Sequence, residues 1–310
     1  MTSTQTDRTL TGLDKLYEFE REPVSADKLQ PGRYFAGLFA GEHVAATEFV
    51  IGVTFVNWGV RAYDVFVGLL IGNLLAVLSW ALICTPIAVQ TRLTLYWYLR
   101  RIAGPLTTTL YNILNAVLFC ILAGCMITIA SSAVRIPFGI GDQVQWYPED
   151  LRFVAVVLLV GTVVVTLAIL GFTKLAQFAT VCSPWLLLMF LVGAIAALPG
   201  LATAAGLETI RSFGDFWTIA KQVIWAGTLP DGSVQTSMGF WQVAAFAWIC
   251  NLATHAGLSD MALFRYAKRS SYGLYSALGM YLGHYLAWIC AGVMGAAAAL
   301  AVGKNLSDMD

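Results

Sequence analysis

Glu48 is the residue of this chain most able to do chemistry in an apolar setting. It lies between YFAGLFAGEHVAAT and the apolar run FVIGVTFVNWGV. At helical spacing Gly41, Ala45, Glu48 and Gly52 share a face, so a carboxylate stands on a stripe that another backbone can approach closely. An ionisable group at membrane depth is costly, and its presence there points to function. The competing reading has the span begin later, with Glu48 at an aqueous boundary. A second set of groups sits in Ser237–Arg269, where Trp241, Trp248, Asn251 and His255 follow one another by i+7, i+3 and i+4 steps on one helix face. Rings beside amide and imidazole groups suit a planar, polar solute. The same residues would also serve as core tryptophans, with Asn251 and His255 joining neighbouring helices.

Other chemistries find little support. His43, His255 and His284 lie on three different apolar segments, and no pair has the H-x-x-x-H spacing of a helical zinc site. The six cysteines all lie in apolar segments, without the spacing of a zinc or c-type haem site, and read as small packing residues. No catalytic residue, metal site or cofactor is assigned, and the chain is not expected to be an enzyme.

These groups must be positioned by membrane helices. The 310 residues are 58% hydrophobic and 12% charged, about half the usual charged fraction of a soluble domain, with a mean hydropathy of +0.73. The apolar runs are long enough to cross a hydrocarbon core of ~30 Å. Seven spans are expected: about 34–60, 65–89, 106–134, 153–170, 175–198, 240 to about 258, and 272–302. A basic loop is expected at 90–105, a tight turn at Gly171–Lys174, and an interface-lying amphipathic piece at Glu208–Trp225. Polar and glycine content interrupts the first span near Ala45–Gly52 and the sixth near Thr254–Leu258. Residues 1–33 form a polar tail without a signal-peptide core, and 304–310 a short polar end. Twelve of the 18 lysines and arginines fall on the side of that tail, which places the N-terminus in the cytoplasm of a multi-pass protein of the inner or plasma membrane. A net charge of zero gives no sign of a nucleic-acid partner.

Interrupted spans five apart are what two inverted repeats of a secondary transporter would show. The stretches GLLIGNLLAVLSWAL and GLSDMALFRYAKRSSYG also resemble the nucleobase–cation symporter family of purine, cytosine, allantoin and hydantoin permeases. Four residues separate Asp260 from Arg265-Tyr266-Ala267, where that family has two. The resemblance implies an all-α leucine-transporter-like fold, of which 34–303 would be the first five-helix repeat and the start of the second, as an N-terminal portion. It implies cation-coupled transport, by sodium or protons, of a nucleobase-like or related nitrogenous solute held by aromatic rings and amides. Set against the family's rings and amides on helices three and six, the third span offers Asn115 and Phe119 and the sixth offers Trp248 and Asn251; with Glu48 and His255 from the helix-face reading, these six are the expected solute-site residues. The alternatives are a non-transporting membrane fragment or scaffold, and a seven-helix receptor-like protein. A retinal protein is disfavoured because 272–302 contains no lysine.

Overall fold

The computed structural model describes residues 22–45, 47–228, 238–255 and 258–302. Most of the expected N-terminal tail, the end after Val302, and Ala256–Gly257 of the expected second interruption lie outside the described residues. Regular structure among the described residues is helical, with two isolated β-bridges and no strand. Five helices are long and apolar enough to cross a membrane: Ala62–Thr91, Leu95–Val134, Leu151–Ile169, Thr173–Ala204 and Ser270–Ala301. A bent pair, α1 (Gly32–His43) and α2 (Thr47–Asn57), makes a sixth if counted as one span, its two axes turned by 51°. Of the seven expected spans, the remaining one is a shorter helix, Phe240–Thr254. The protein is thus an all-α membrane protein with several spans.

The second span runs as α3 (Ala62–Ser79), a π-helical turn Trp80–Cys84, and α4 (Thr85–Thr91). Next, α5 (Leu95–Val134) takes in most of the segment expected as a basic loop. Arg100 and Arg101 mislead there, because a charged side chain does not prevent helix; it only keeps that turn out of the hydrocarbon. The break falls at Gly104, whose φ of 78° and ψ of 177° need a residue without Cβ. Pro105 follows and has no N–H to give. Hydroxyls return to the carbonyls here: Thr108 Oγ1 donates to Gly104 O and Thr109 Oγ1 to Pro105 O, both at 2.9 Å.

After α6 (Leu151–Ile169) the chain turns at Gly171, φ 78°, into α7 (Gly171–Ala204). The expected interface piece contains α8 (Phe213–Ile219), which starts with a Ser212–Asp215 capping box. A π-helical turn, Ala220–Ile224, continues it. Its inner side is core: Ile219, Ala220, Ile224 and Trp225 are all buried. Then come α9 (Phe240–Thr254), α10 (Met261–Phe264), α11 (Ser276–Leu278), a π-helical stretch Gly279–Ala287, and α12 (Trp288–Val302).

The chain divides into two compact units. One comprises the described residues up to Phe35, with Trp80–Phe178 and His255–Gly273. In it α5 packs along α6, while α10 packs on α4. Much of α5 faces outward, with Ile113, Leu114, Val117 and Ile121 all more than half exposed. That apolar surface would be a liability in water and is natural against lipid. The N-terminal stretch and the segment after His255 are tied by backbone. Gln30 N donates to Tyr266 O at 2.9 Å and Val24 N to Arg92 O at 3.1 Å. The Arg92 guanidinium donates to the carbonyls of Arg265 and Ala267.

The other unit comprises Ala36–Ser79, Ala179–Thr254 and the described residues from Leu274. Its main pairings are α3 with α9 and α2 with α12. Close approach depends on missing side chains: a Cβ on Gly72 would stand 2.7 Å from Ala247 Cβ. Small residues four apart, Gly68 and Gly72, let the α9 backbone reach α3. Within hydrocarbon, such packing and interhelical hydrogen bonds replace the hydrophobic drive of a soluble core.

Candidate functional site

Each unit holds a buried carboxylate gripped by a tryptophan and a histidine. In the unit containing α2, that carboxylate is Glu48, 5% exposed and in the first turn of the helix. The positive end of a helix favours a carboxylate there. Trp288 Nε1, buried at the head of α12, donates to Glu48 Oε2. Thr47 Oγ1 donates to Oε1 at 3.2 Å. His284 Nε2 lies 3.5 Å from Oε2, and its ring stacks on Trp288 at 4.6 Å with 9° between planes. His43, the last residue of α1, sets its ring edge-on to His284 at 4.6 Å. Its Nδ1 lies 2.8 Å from Phe39 O.

Small residues position these groups. Gly279 and Gly283 lie on the π-helical stretch against His43; a Cβ on Gly279 would stand 2.5 Å from His43 Nδ1, and one on Gly283 would strike the His43 carbonyl. On the other side of Glu48, a Cβ on Gly52 would lie 2.6 Å from that of Ala291 and would strike the Trp288 carbonyl. The expected Gly41–Gly52 stripe therefore divides at the break. Gly41 faces Ala179 and Ser183, whereas Gly52 faces α12.

In the first unit the carboxylate is Asp260, 4% exposed. Trp80 Nε1 donates to Oδ2, and His255 Nδ1 lies 2.9 Å from Oδ1. The two rings meet edge-on at 5.2 Å. Trp80 opens the π-helical turn after α3, and such turns commonly mark functional positions in helices. A Cβ on Gly273 would lie 2.7 Å from Ala81 Cα and 3.0 Å from Trp80 O. Asp260 O accepts from the backbone N–H groups of Leu263 and Phe264, each at 2.9 Å, which starts α10.

The six residues expected from the sequence divide three and three between the units. Glu48, Trp248 and Asn251 belong to the second, and Asn115, Phe119 and His255 to the first. Asn251 is fully buried and joins helices: its Nδ2 donates to Ala247 O at 2.7 Å and to Asn73 Oδ1 at 3.3 Å. Trp248 is 36% exposed, and its indole N–H donates to Ser79 Oγ at 3.1 Å. The common face drawn through Trp241 and Asn251 has opposite environments at its ends, since Trp241 is 73% exposed. Asn115 is half-buried, with its Oδ1 enclosed and without a hydrogen-bond partner among the described residues. Phe119 is 39% exposed.

Sequence reasoning missed Trp80, Asp260, His284 and Trp288 as site residues. One signal was available. His43 and Glu48 are five apart, as are His255 and Asp260, and both pairs fall where an apolar helix is interrupted. Comparisons with protein-family models, curated proteins and solved structures find no match to this chain.

Proposed function

We propose that the chain is a secondary active permease, or the part of one that carries its broken spans, and that Glu48 is its proton-coupling group. The observation that carries this reading is a carboxylate buried at the start of α2, just beyond the break in the first span. A buried acid is expensive in hydrocarbon, and the half-helix ends of broken spans are where transporters hold ions and solutes.

Protons are the better choice of coupling ion. The groups that hydrogen-bond the carboxylate, the Trp288 N–H and the Thr47 hydroxyl, are donors. Sodium needs a shell of oxygen acceptors, and an N–H aimed at the carboxylate opposes it. A proton needs only one carboxylate oxygen, and the nearby His284 imidazole can exchange it. The solute class, a nucleobase-like or related small nitrogenous compound, follows from the family resemblance. The partly exposed Trp248 ring is the natural stacking surface among the expected residues, worth ~0.5–1.5 kcal/mol beyond buried area.

The test is uptake by the purified 310-residue chain in liposomes. Radiolabelled uracil, cytosine, hypoxanthine, allantoin and hydantoin are offered under an inward proton gradient or an inward sodium gradient. The proton gradient is expected to drive accumulation of at least one. Glu48→Gln should abolish that accumulation and leave solute exchange at equal pH. If no solute accumulates under either gradient, the chain is not an active permease by itself. If sodium drives uptake and Glu48→Gln does not alter it, Glu48 has a packing role.

A further inference from the structure

The loop between α5 and α6 borders a half-open cavity that the transport reading does not use. Its volume is about 310 Å³, at the lower end of ligand-pocket sizes. Phe153, Val154, Val157 and Leu158 of α6 form its apolar wall. Gln143, Gln145 and Tyr147 of the loop bring amide and phenol groups to it, and Thr128 and Ser132 of α5 bring hydroxyls.

Position and charge narrow the occupant. Both flanking helices are apolar spans, so their shared end lies where hydrocarbon meets water. The loop carries Ile136, Phe138, Val144 and Trp146, each well over half exposed. Tryptophan at such a place is characteristic of the membrane interface. None of the residues lining the cavity is charged. The two arginines beside it are already matched: Arg135 pairs with Asp142 and donates to Ile140 O, while Arg152 pairs with Asp150 at 2.7 Å. The side-chain hydrogen bond from Arg152, with its backbone N–H, holds the Asp150 carboxyl below the usual carboxylate range. From Arg135 to Arg152 the two arginines stand among three carboxylates, Asp142, Glu149 and Asp150, so the local charge does not favour a phosphate.

We infer that this cavity is a binding site for a neutral, single-chain amphiphile, with its hydrocarbon tail against Val154, Val157 and Leu158 and an uncharged hydroxyl-bearing head among Gln143, Gln145 and Tyr147. An anionic phospholipid head would find no unmatched cation. The Gln143 carboxamide is already held by the backbone of Gly141, Glu149 and Asp150, so the polar side chains that a hydroxyl-bearing head can use, and a fully apolar guest cannot, are Gln145, Tyr147 and Ser132.

The probe is a monoacylglycerol with a diazirine in its acyl chain, photolysed with the purified chain in lipid nanodiscs and located by peptide mass spectrometry. Labelling is expected to concentrate within Thr128–Ser132 and Val154–Leu158, and excess monoolein should compete it at least fivefold. Leu158→Trp should fill the cavity and reduce labelling by a similar factor. Leu158 is 66% exposed, so its replacement leaves helix packing intact, and gel filtration checks this. Gln145→Leu, on the loop side where the head is placed, should weaken labelling by the monoacylglycerol more than by a diazirine fatty alkane. Three outcomes would overturn the site: labelling spread evenly along α5 and α6, equal labelling by a phosphatidylglycerol probe, or labelling unchanged in Leu158→Trp. None of them bears on uptake, so this site and the permease reading fail separately.

Discussion

The Glu48 and Asp260 centres use the same parts in different ways. Each has an acid five residues after a histidine, just beyond the end of an apolar helix, and each receives an indole N–H from a distant span. Each also has a glycine seated on the carbonyl of its tryptophan, Gly52 on Trp288 and Gly273 on Trp80. They differ in the histidine. Asp260 takes the imidazole five residues back in its own turn, at 2.9 Å. Glu48 leaves His43 to pack on another ring and takes His284 from a different span, at 3.5 Å. One acid–imidazole pair is therefore local and survives if helices part. The other is made entirely by packing, and any motion of the last span against α2 alters it.

The strongest way to break the likeness is to fill the glycines. Gly52→Val and Gly273→Val should each destabilise by about 3 kcal/mol or more, since overpacking against backbone costs at least 1–3 kcal/mol. Thermal unfolding in detergent reads this. If Gly52→Val alone is tolerated, the α2–α12 contact is looser than the geometry says.

A smaller effect sharpens the comparison. Trp288→Phe and Trp80→Phe keep most of the ring but remove the indole donor from a buried carboxylate, at ~1–3 kcal/mol. Glu48→Gln combined with Trp288→Phe should recover part of that loss, giving a coupling of about 1 kcal/mol in a double-mutant cycle. A coupling near zero would mean that the indole packs beside Glu48 without bonding it.

The smallest effect separates local from non-local. His255→Gln should cost about 1 kcal/mol, the net value of one hydrogen bond, whereas His284→Gln at 3.5 Å should cost less in stability and more in proton-driven uptake. The reverse ranking in uptake would move the coupling role to Asp260.

How much of this could be read beforehand follows from the range of each interaction. The apolar runs from Ala62 to Ala204 were legible because hydrocarbon demands a continuous apolar surface, and one run suffices to identify one helix. A break in the first span was legible because Glu42, His43 and Glu48 crowd one apolar segment, but it falls between His43 and Thr47 and not along Ala45–Gly52 as expected, since Thr47–Asn57 runs as one helix. The π-helical turns at Trp80–Cys84 and Gly279–Ala287 were not, since no residue type specifies them. Nor were the tryptophan–acid pairs, which depend on how spans pack. Asn251 shows the same limit: its amide and depth were clear, but its bond to Asn73 was a matter of which helix lay alongside. Leu95–Ala103 was misjudged because arginines mark the edge of a membrane and not the end of a helix.

The separation in sequence also sets a timetable for biosynthesis. Trp288 follows Glu48 by 240 residues, and at 5–20 residues per second a ribosome needs roughly 12–48 s to deliver it. For that interval the nascent first span must harbour its acid without its indole, protonated or in contact with water. The Asp260 centre waits in the opposite sense: Trp80 is made 180 residues early, and a tryptophan with an idle N–H is a far milder guest in a membrane than an idle carboxylate. Assembly of the Glu48 centre is thus the step at which the translocon has most need to shelter the chain.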